Sequence, residues 1–282
     1  MSEVLEQYGL IGHPVAHSWS PFIHGMFARQ TGQAMTYRLY DVTPDEFTPY
    51  VLDFAARGGR GLNVTVPHKM AAATLASERT PRAERAHAVN TLAFSGERIL
   101  GDNTDGSGLV RDLRDNLGVS IAQKRILIAG AGGAARGVIA PLLELGPTEI
   151  VIAGRSVERA RTLAAEFAKL GNVLGCGLDD LLLGRIDIVI NATSASLSGE
   201  VPAISATVIR AAALCYDLTY AKSDTAFVRW AHELGCPRAV QGWGMLVEQA
   251  AEAFELWRGI RPDTRPVLEL LAHSAAQHPE PR

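Results

Sequence analysis

Cysteine is scarce in this chain of 282 residues: Cys176, Cys215 and Cys236 are the only three, with no C-x-x-C pair among them. An odd number without that spacing excludes a disulfide framework and a thiolate zinc site, and leaves free thiols in a reducing compartment as the expectation. Long apolar runs are missing as well. No stretch approaches the roughly 20 residues a membrane span needs. The opening Met1-Ser2-Glu3-Val4-Leu5-Glu6 carries two early acids and no apolar core, so no secretory leader is expected. These absences point to a cytoplasmic protein with no membrane partner. Nor is there an excess of basic charge. Lys and Arg number 27 against 30 Asp and Glu, a net charge of −3, so a nucleic-acid partner is not expected. The nearest basic run, Arg79 to Arg85, is broken by Pro81 and Glu84 and reads as a solvated helix face. Internal repeats and low-complexity segments are absent.

What remains is ordinary globular material, 47% hydrophobic and 20% charged, long enough for two domains. Short apolar runs alternate with helical patterns, the signature of an α/β architecture. Strands are expected at Tyr8 to Ile11, Thr36 to Tyr40 and Gly61 to Val66, with helices at Pro21 to Gln30, Pro44 to Ala56 and from Pro67 onward. Val89 to Phe94 and Ile99 to Leu100 resemble a hairpin. After Gly106 a helix (Leu109 to Leu117) leads to the apolar strand Lys124 to Ala129, and further strands follow at Glu149 to Ala153, Ile186 to Ile190 and Ala212 to Tyr216. Trp243 to Trp257 is a long helix expected to pack back on the first domain, and Ala275 to Arg282 a frayed tail. The expected division is 1–103 for an α/β substrate domain with a mixed sheet, completed by 239–282, and 104–238 for a Rossmann-like dinucleotide-binding domain.

Gly130-Ala131-Gly132-Gly133-Ala134-Ala135 follows a buried strand and opens a helix, the context a dinucleotide loop requires. Gly130 permits the tight turn, Gly132 the approach of a pyrophosphate, and Ala135 takes the close-packing third place. The helix start supplies free N–H groups for the phosphates. At the end of the next strand an NAD enzyme carries an acid for the ribose 2′-hydroxyl. Here stand Gly154-Arg155-Ser156, with Arg159 one turn later; two guanidiniums suit a 2′-phosphate, so NADP is expected over NAD. Asn191-Ala192-Thr193-Ser194 ends a further strand and is assigned to the nicotinamide side.

Three polar clusters end strands of the first domain. Ser18 and Ser20 flank Trp19 at a helix start and suit a carboxylate, although capping alone would use one of them. Asn63 and Thr65 share one face of a strand. Lys69 follows at a helix start, where a cation opposes the helix dipole, so its placement has no local stabilising reason. Asn90 and Asp105 form the third cluster. Ketone reduction leaves negative charge on oxygen, which Lys69 can stabilise and protonate with Asp105 holding it; a structural ion pair is the alternative. His13 and His17 stand four apart without a third ligand, so no metal is expected.

Taken together, Gly12 to Pro21, Asn63 to Lys69, Ala88 to Thr91, Gly101 to Gly106, Gly130 to Ala134, Asn191 to Thr193, Tyr216-Asp217 and Gly242 to Ala250 resemble the shikimate dehydrogenase family, in order and at family spacing. The resemblance implies an oxidoreductase of chorismate and aromatic amino acid biosynthesis, interconverting 3-dehydroshikimate and shikimate with NADP as a monomer or homodimer. It implies that Ser18 and Ser20 hold the carboxylate, that Asn63, Thr65, Asn90 and Asp105 address ring hydroxyls, and that Lys69 and Asp105 are the catalytic pair. Tyr216 and Gln249 would complete the substrate pocket. Gly242 and Met245 would line the nicotinamide, Leu214 would be a further cofactor contact, and Arg155, Ser156 and Arg159 would meet the 2′-phosphate. The family often has Asn where this chain has Gly154. A quinate/shikimate dehydrogenase using NAD and a non-catalytic NADP-binding module are the alternatives; the serines before Pro21 disfavour the methylenetetrahydrofolate dehydrogenase type.

Overall fold

The computed structural model describes residues 5–178, 180, 184–193 and 195–276. The chain divides into two compact units, one of Met1–Gly108 with Val247–Val267, the other of Leu109–Leu246 with the residues from Leu268 on. The first runs β1 (Glu6–Gly12), α1 (Ser20–Thr31), β2 (Met35–Asp41), α2 (Phe47–Ala56), β3 (Gly59–Val64), α3 (Lys69–Leu75), β4 (Glu78–Arg79), α4 (Pro81–Ala86), β5 (Thr91–Ser95) and β6 (Arg98–Asp102), and α5 (Asp105–Arg111) leads out of it. The second follows with β7 (Arg125–Ala129), α6 (Gly133–Leu143), β8 (Glu149–Gly154), α7 (Val157–Phe167), β9 (Val173–Gly177) and β10 (Ile188–Asn191). It goes on through α8 (Ala206–Ala211), β11 (Leu214–Asp217), α9 (Ala226–Glu233) and β12 (Ala239–Gln241), before α10 (Trp243–Arg258) and α11 (Arg265–Ala276) end the described chain.

The first sheet has the order β2-β1-β3-β5-β6-β4 and is mixed: β1 is parallel to both neighbours, while β5 is antiparallel to β3 and β6. One core cluster joins Ile11, Phe47, Val51, Phe54, Leu62 and Leu92. Another set of aromatics brings Phe254 and Trp257 of α10 against His24, Phe27 and Tyr8. Gly61 makes this possible. A Cβ there would stand 2.3 Å from Trp257 Nε1, which instead donates to the Leu92 carbonyl at 2.9 Å.

The second sheet is wholly parallel, in the order β12-β11-β10-β7-β8-β9. That is the doubly wound order, with its reversal between β7 and β10. Its central strands β7, β8 and β10 are buried on both faces and read as apolar runs rich in Ile, Leu and Val.

Several expectations need correcting. The division falls after Gly108, so residues 104–108 group with the first unit; residues 239–246 and those from Leu268 on group with the second. The reason in part is β12, which pairs with β11 as the last strand of the second sheet. β4, β9 and β12 were not anticipated; β4 and β12 hold only two and three residues, too short to show a period, and two glycines interrupt the apolar pattern of β9. The run from Arg79 is not a solvated helix face. It is split between β4 and α4, and Arg82 turns inward to donate to both oxygens of Asp102 (2.7 and 2.5 Å) and to Ser107 and Glu252. Asp102 is 1% exposed and a buried carboxylate needs such a partner. Burial opposes its ionisation, but Arg82 and Thr80 hold its carboxyl below the usual range. Of the expected tail, Ala275 and Ala276 end α11 and 277–282 lie outside the described residues.

His24, on α1, is fully buried and stacked on Tyr37 with ring centroids 4.2 Å apart. Neither ring nitrogen has a partner in good hydrogen-bond geometry, and burial pushes its pKa down to about 3, with only the Asn63 side chain opposing. An unfolded histidine takes up its proton near 6.5. Below that pH the unfolded chain therefore binds more protons than the native one, and stability is lost as pH falls towards 3. His24→Phe removes this term. Urea denaturation at pH 6.5 and 4.5 should show the variant losing about 2–3 kcal/mol less than wild type over that interval; equal losses would mean that His24 titrates alike in both states.

Candidate active site

The polar residues of the first unit gather where β1, β3 and β5 meet the loops that follow or precede them. α1 starts at Ser20, whose own N–H donates to Ser18 Oγ at 3.2 Å, and the two hydroxyls are 3.1 Å apart. Trp19 occupies the capping position without a side-chain cap bond, and the two serine hydroxyls are paired with each other at the helix start. His13 Nδ1 lies 2.5 Å from Asp41 Oδ1. Thr65 lies just past β3, where its N–H is held by the Ile11 carbonyl at 2.9 Å. Gly12 allows this approach: a Cβ there would be 2.3 Å from the Thr65 methyl. His68, buried and stacked on Phe47, bonds the Val42 carbonyl at 2.7 Å and so fixes the loop that delivers Lys69.

Lys69 begins α3, and its ammonium is ion-paired with Asp105 Oδ2. Asp105 begins α5, where a carboxylate is favourably placed against the helix dipole. Its other oxygen accepts from Asn90 Nδ2 at 2.8 Å, and its N–H is held by Asn103 Oδ1 at 3.2 Å. Asn90 Nδ2 also lies 3.3 Å from Gln249 Oε1 on α10. Asn63 completes the cluster, with Nδ2 3.1 Å from Thr91 Oγ1. The structure thus brings together Asn63, Lys69, Asn90, Asp105 and Gln249, with an ammonium donor and a carboxylate at the centre, an arrangement chemically able to move a proton.

In the second unit the glycine loop lies at the reversal point of the sheet. Gly130 has φ of 109°, and a Cβ would meet the Ala192 carbonyl at 2.9 Å, so glycine is required. Gly132 and Gly133 instead face open space, and α6 begins there without a side-chain cap. Bare N–H groups with room before them fit a pyrophosphate. Ala131 and Ala134 are half-buried, and Ala135 is fully buried between α6 and the sheet. At the ends of β8 and β9 a cavity of about 270 Å³ is lined by Gly154, Arg155, Val157, Leu178, Asp180 and Ala203. Arg155 and Arg159 are exposed, and Ser156 accepts from the Arg159 N–H as helix cap. No carboxylate of the described residues pairs with either arginine, which suits them to an added phosphate.

Three of the expected second-unit contacts are placed differently. Leu214 is the first residue of β11, 2% exposed in the core and at the amino end of the strand, away from the ligand edge. Tyr216 is 0% exposed in the same core. Its hydroxyl donates to Asp112 Oδ2 at 2.6 Å and accepts from the Met245 N–H at 3.3 Å, so it fastens the start of α10 and is not a pocket residue. Burial and the adjacent Asp112 push its pKa well up. Asn191 spends its side chain on protein groups, accepting from Thr193 N and Oγ1 of its own loop and donating to Ser196 and to Asp217 at the end of β11. Ser194 lies outside the described residues. The residues that β11 delivers to its carboxyl end are Leu218, Thr219 and Tyr220, which sequence reasoning missed. Tyr220 is half-buried against Trp243, with ring centroids 4.7 Å apart. The available signal was position: Tyr216 closes an apolar run, whereas Tyr220 follows the polar Asp217. Gly242 packs against this loop, since a Cβ would be 2.6 Å from the Leu218 carbonyl. Tyr216→Phe leaves the buried Asp112 short of a donor and should cost about 1–3 kcal/mol in urea denaturation; an unchanged midpoint would mean that the hydroxyl fastens nothing.

Comparison with known proteins matches the shikimate dehydrogenase substrate binding domain at residues 10–92, the shikimate/quinate 5-dehydrogenase family at 112–201 and the shikimate 5′-dehydrogenase C-terminal domain at 242–272. A shikimate dehydrogenase (NADP(+)) of Methylococcus capsulatus is 55% identical over 267 residues, covering 94% of this chain and 96% of that one. Among solved structures, an Ael1 enzyme from Pseudomonas putida superposes with a TM-score of 0.88 at 45% identity, covering 94% of this chain and 98% of that one. Shikimate 5-dehydrogenase from Thermus thermophilus, solved with NADP(H) and shikimate, gives 0.83 at 30% identity over 96% of this chain and all (100%) of that one. With relatives matched over nearly their full length and a two-unit α/β fold in common, the chain belongs to the shikimate dehydrogenase family.

Proposed function

We propose that the protein is a cytoplasmic NADP-dependent shikimate dehydrogenase that reversibly reduces 3-dehydroshikimate to shikimate. The observation that carries this reading is the Lys69–Asp105 ion pair, set among Asn63, Asn90 and Gln249 in a chain of this family. Substrate is assigned to the unit of residues 1–108 and 247–267, and the dinucleotide to the other. The paired hydroxyls of Ser18 and Ser20 suit the substrate carboxylate, and Asn63, Thr65, Asn90 and Gln249 its ring hydroxyls.

Both oxygens of Asp105 are engaged, one by Lys69 and one by Asn90. The Lys69 ammonium spends one of its three hydrogens on Asp105 and keeps two. Lys69 is therefore the group with a proton to offer: it donates to the carbonyl oxygen as negative charge develops there, and takes the proton back in the reverse direction. Asp105 orients that ammonium and offsets its charge. Bound NADPH supplies the hydride. The bare N–H groups at Gly132 and Gly133 suit its pyrophosphate and Arg155 and Arg159 its 2′-phosphate, and Thr193, Gly242 and Met245 are assigned to the nicotinamide side.

A spectrophotometric assay of shikimate and quinate, each with NADP and NAD, tests the reading. Turnover of shikimate with NADP, and little else, is expected; comparable use of quinate or NAD would move the chain to a quinate/shikimate dehydrogenase. Lys69→Ala should lower kcat by about 10²–10⁴-fold with KM for shikimate little changed; a raised KM with kcat intact would make the lysine a binding residue only. Arg155→Ala should raise the KM for NADP about tenfold and leave that for NAD unchanged, since only the former carries the phosphate that the guanidinium meets.

A further inference from the structure

The buried amides of the first unit form one chain of hydrogen bonds, and its direction can be deduced from a single group that has no choice. The Thr104 backbone N–H can only donate, and it lies 2.8 Å from one side-chain atom of Asn90, which must therefore be Oδ1. Thr91 Oγ1 is 2.9 Å from that same oxygen and so spends its one hydrogen there. The contact of 3.1 Å between Thr91 Oγ1 and Asn63 must then be a donation from Asn63 Nδ2, whose second hydrogen points to the Asn90 carbonyl at 3.4 Å. The remaining atom of Asn63 is Oδ1, and the Tyr37 hydroxyl, 2.7 Å away, donates to it. Asn63 is 4% exposed, so this orientation cannot be exchanged cheaply for the flipped one.

We propose that Tyr37 is a positioning residue for the substrate, acting through Asn63, and that the pair presents only an acceptor, so that the substrate oxygen meeting Asn63 must be a hydroxyl that donates. Tyr37 belongs to none of the motifs that carry the family resemblance. Tyr37 comes from β2, and its ring is held by the parallel stack on His24. Both amide hydrogens of Asn63 are committed, so any further partner must give a hydrogen to Oδ1. At the other end of the same chain Asn90 donates to Asp105, and Lys69 keeps its hydrogens for an oxygen that accepts. The two ends thus differ in sign: a carbonyl belongs at Lys69 and a hydroxyl at Asn63. A ring presented with its ketone at Asn63 would set oxygen against oxygen. The hydrogen-bond chain thereby becomes a device for choosing which ring position is reduced.

The inference rests on the reading of Asn63 as a substrate contact, and a double-mutant cycle on the full chain tests it. KM for shikimate, KM for NADP and kcat are measured for wild type, Tyr37→Phe, Asn63→Ala and the double variant. Tyr37→Phe should raise KM for shikimate about five- to tenfold and leave kcat and KM for NADP within about twofold. In the Asn63→Ala background it should add nothing. Effects that multiply in the double variant, or equal losses in every parameter, overturn the proposal, because Tyr37 would then be core packing alone. A second arm needs no variant and stays readable if Asn63→Ala fails to fold. Shikimate analogues carrying fluorine or hydrogen at either ring hydroxyl that is not oxidised are compared as competitors; fluorine can accept but not donate. At one position fluorine should bind no better than hydrogen, whereas recovery by fluorine at both positions overturns the acceptor-only assignment. If the wild type oxidises another cyclic hydroxy acid and not shikimate, the proposed function fails, while the cycle is still scored on that alcohol.

Discussion

Asn90 has no polar atom to spare. Its backbone N–H is taken by the Asp102 carbonyl at 3.0 Å and its carbonyl by the Val64 N–H at 2.7 Å. Its side-chain oxygen is shared by Thr91 and Thr104, and its side-chain nitrogen by Thr104, Asp105 and Gln249. A residue 2% exposed must satisfy every such group or lose stability. Its partners come from β3, β6, the start of α5 and α10, so satisfying Asn90 ties those four elements to one point. Lys69 and Asp105 inherit their positions from that requirement. Lys69 finds Asp105 because Asp105 is already held by Asn90 and Asn103.

The two units solve opposite problems. The first must hold a small polar molecule, and it does so with buried side chains whose hydrogen bonds are nearly all committed before any ligand arrives. The second must hold a long charged one, and it does so by omission: Gly130 lets β7 and β10 close up on each other, while Gly132 and Gly133 leave backbone N–H groups uncovered. Asp217 links these styles within the second unit. Fully buried, it accepts from Asn191, Ser196, Thr219 and Thr225, and so ties the loops after β10 and β11 to each other. A neutral residue there would leave those donors competing for fewer acceptors.

Much of this was legible in the residues themselves. The long apolar strands β7 and β8, the glycine loop and the polar ends of β1 and β3 carry their periods and turn residues on their face, and the mixed and parallel sheets follow from them. What was not legible depends on the direction in which a side chain leaves a strand. Tyr216 and Tyr220 are the same residue type four positions apart, yet one is in the core and the other past the strand end. Arg82 looks solvated beside Arg79 and Arg85, and only the buried Asp102, twenty residues on, explains why it turns inward. Tyr37 shows nothing in its own neighbourhood to set it apart; only its hydrogen bond to Asn63, two strands away across β1, singles it out.

The four tryptophans divide the molecule into separately observable parts. Trp257 is locked in the core of the first unit by the Leu92 carbonyl, and Trp230 lies against Phe227 in the second. Trp19 stands between the paired serines, edge-on to Phe22, and Trp243 opens α10 against Tyr220. Replacing all but one of them by phenylalanine would give four intrinsic fluorophores with distinct duties. Two would report the melting of each unit by itself. The other two would report on the surroundings of the α1 start and of the loop after β11, with no dye attached to the protein.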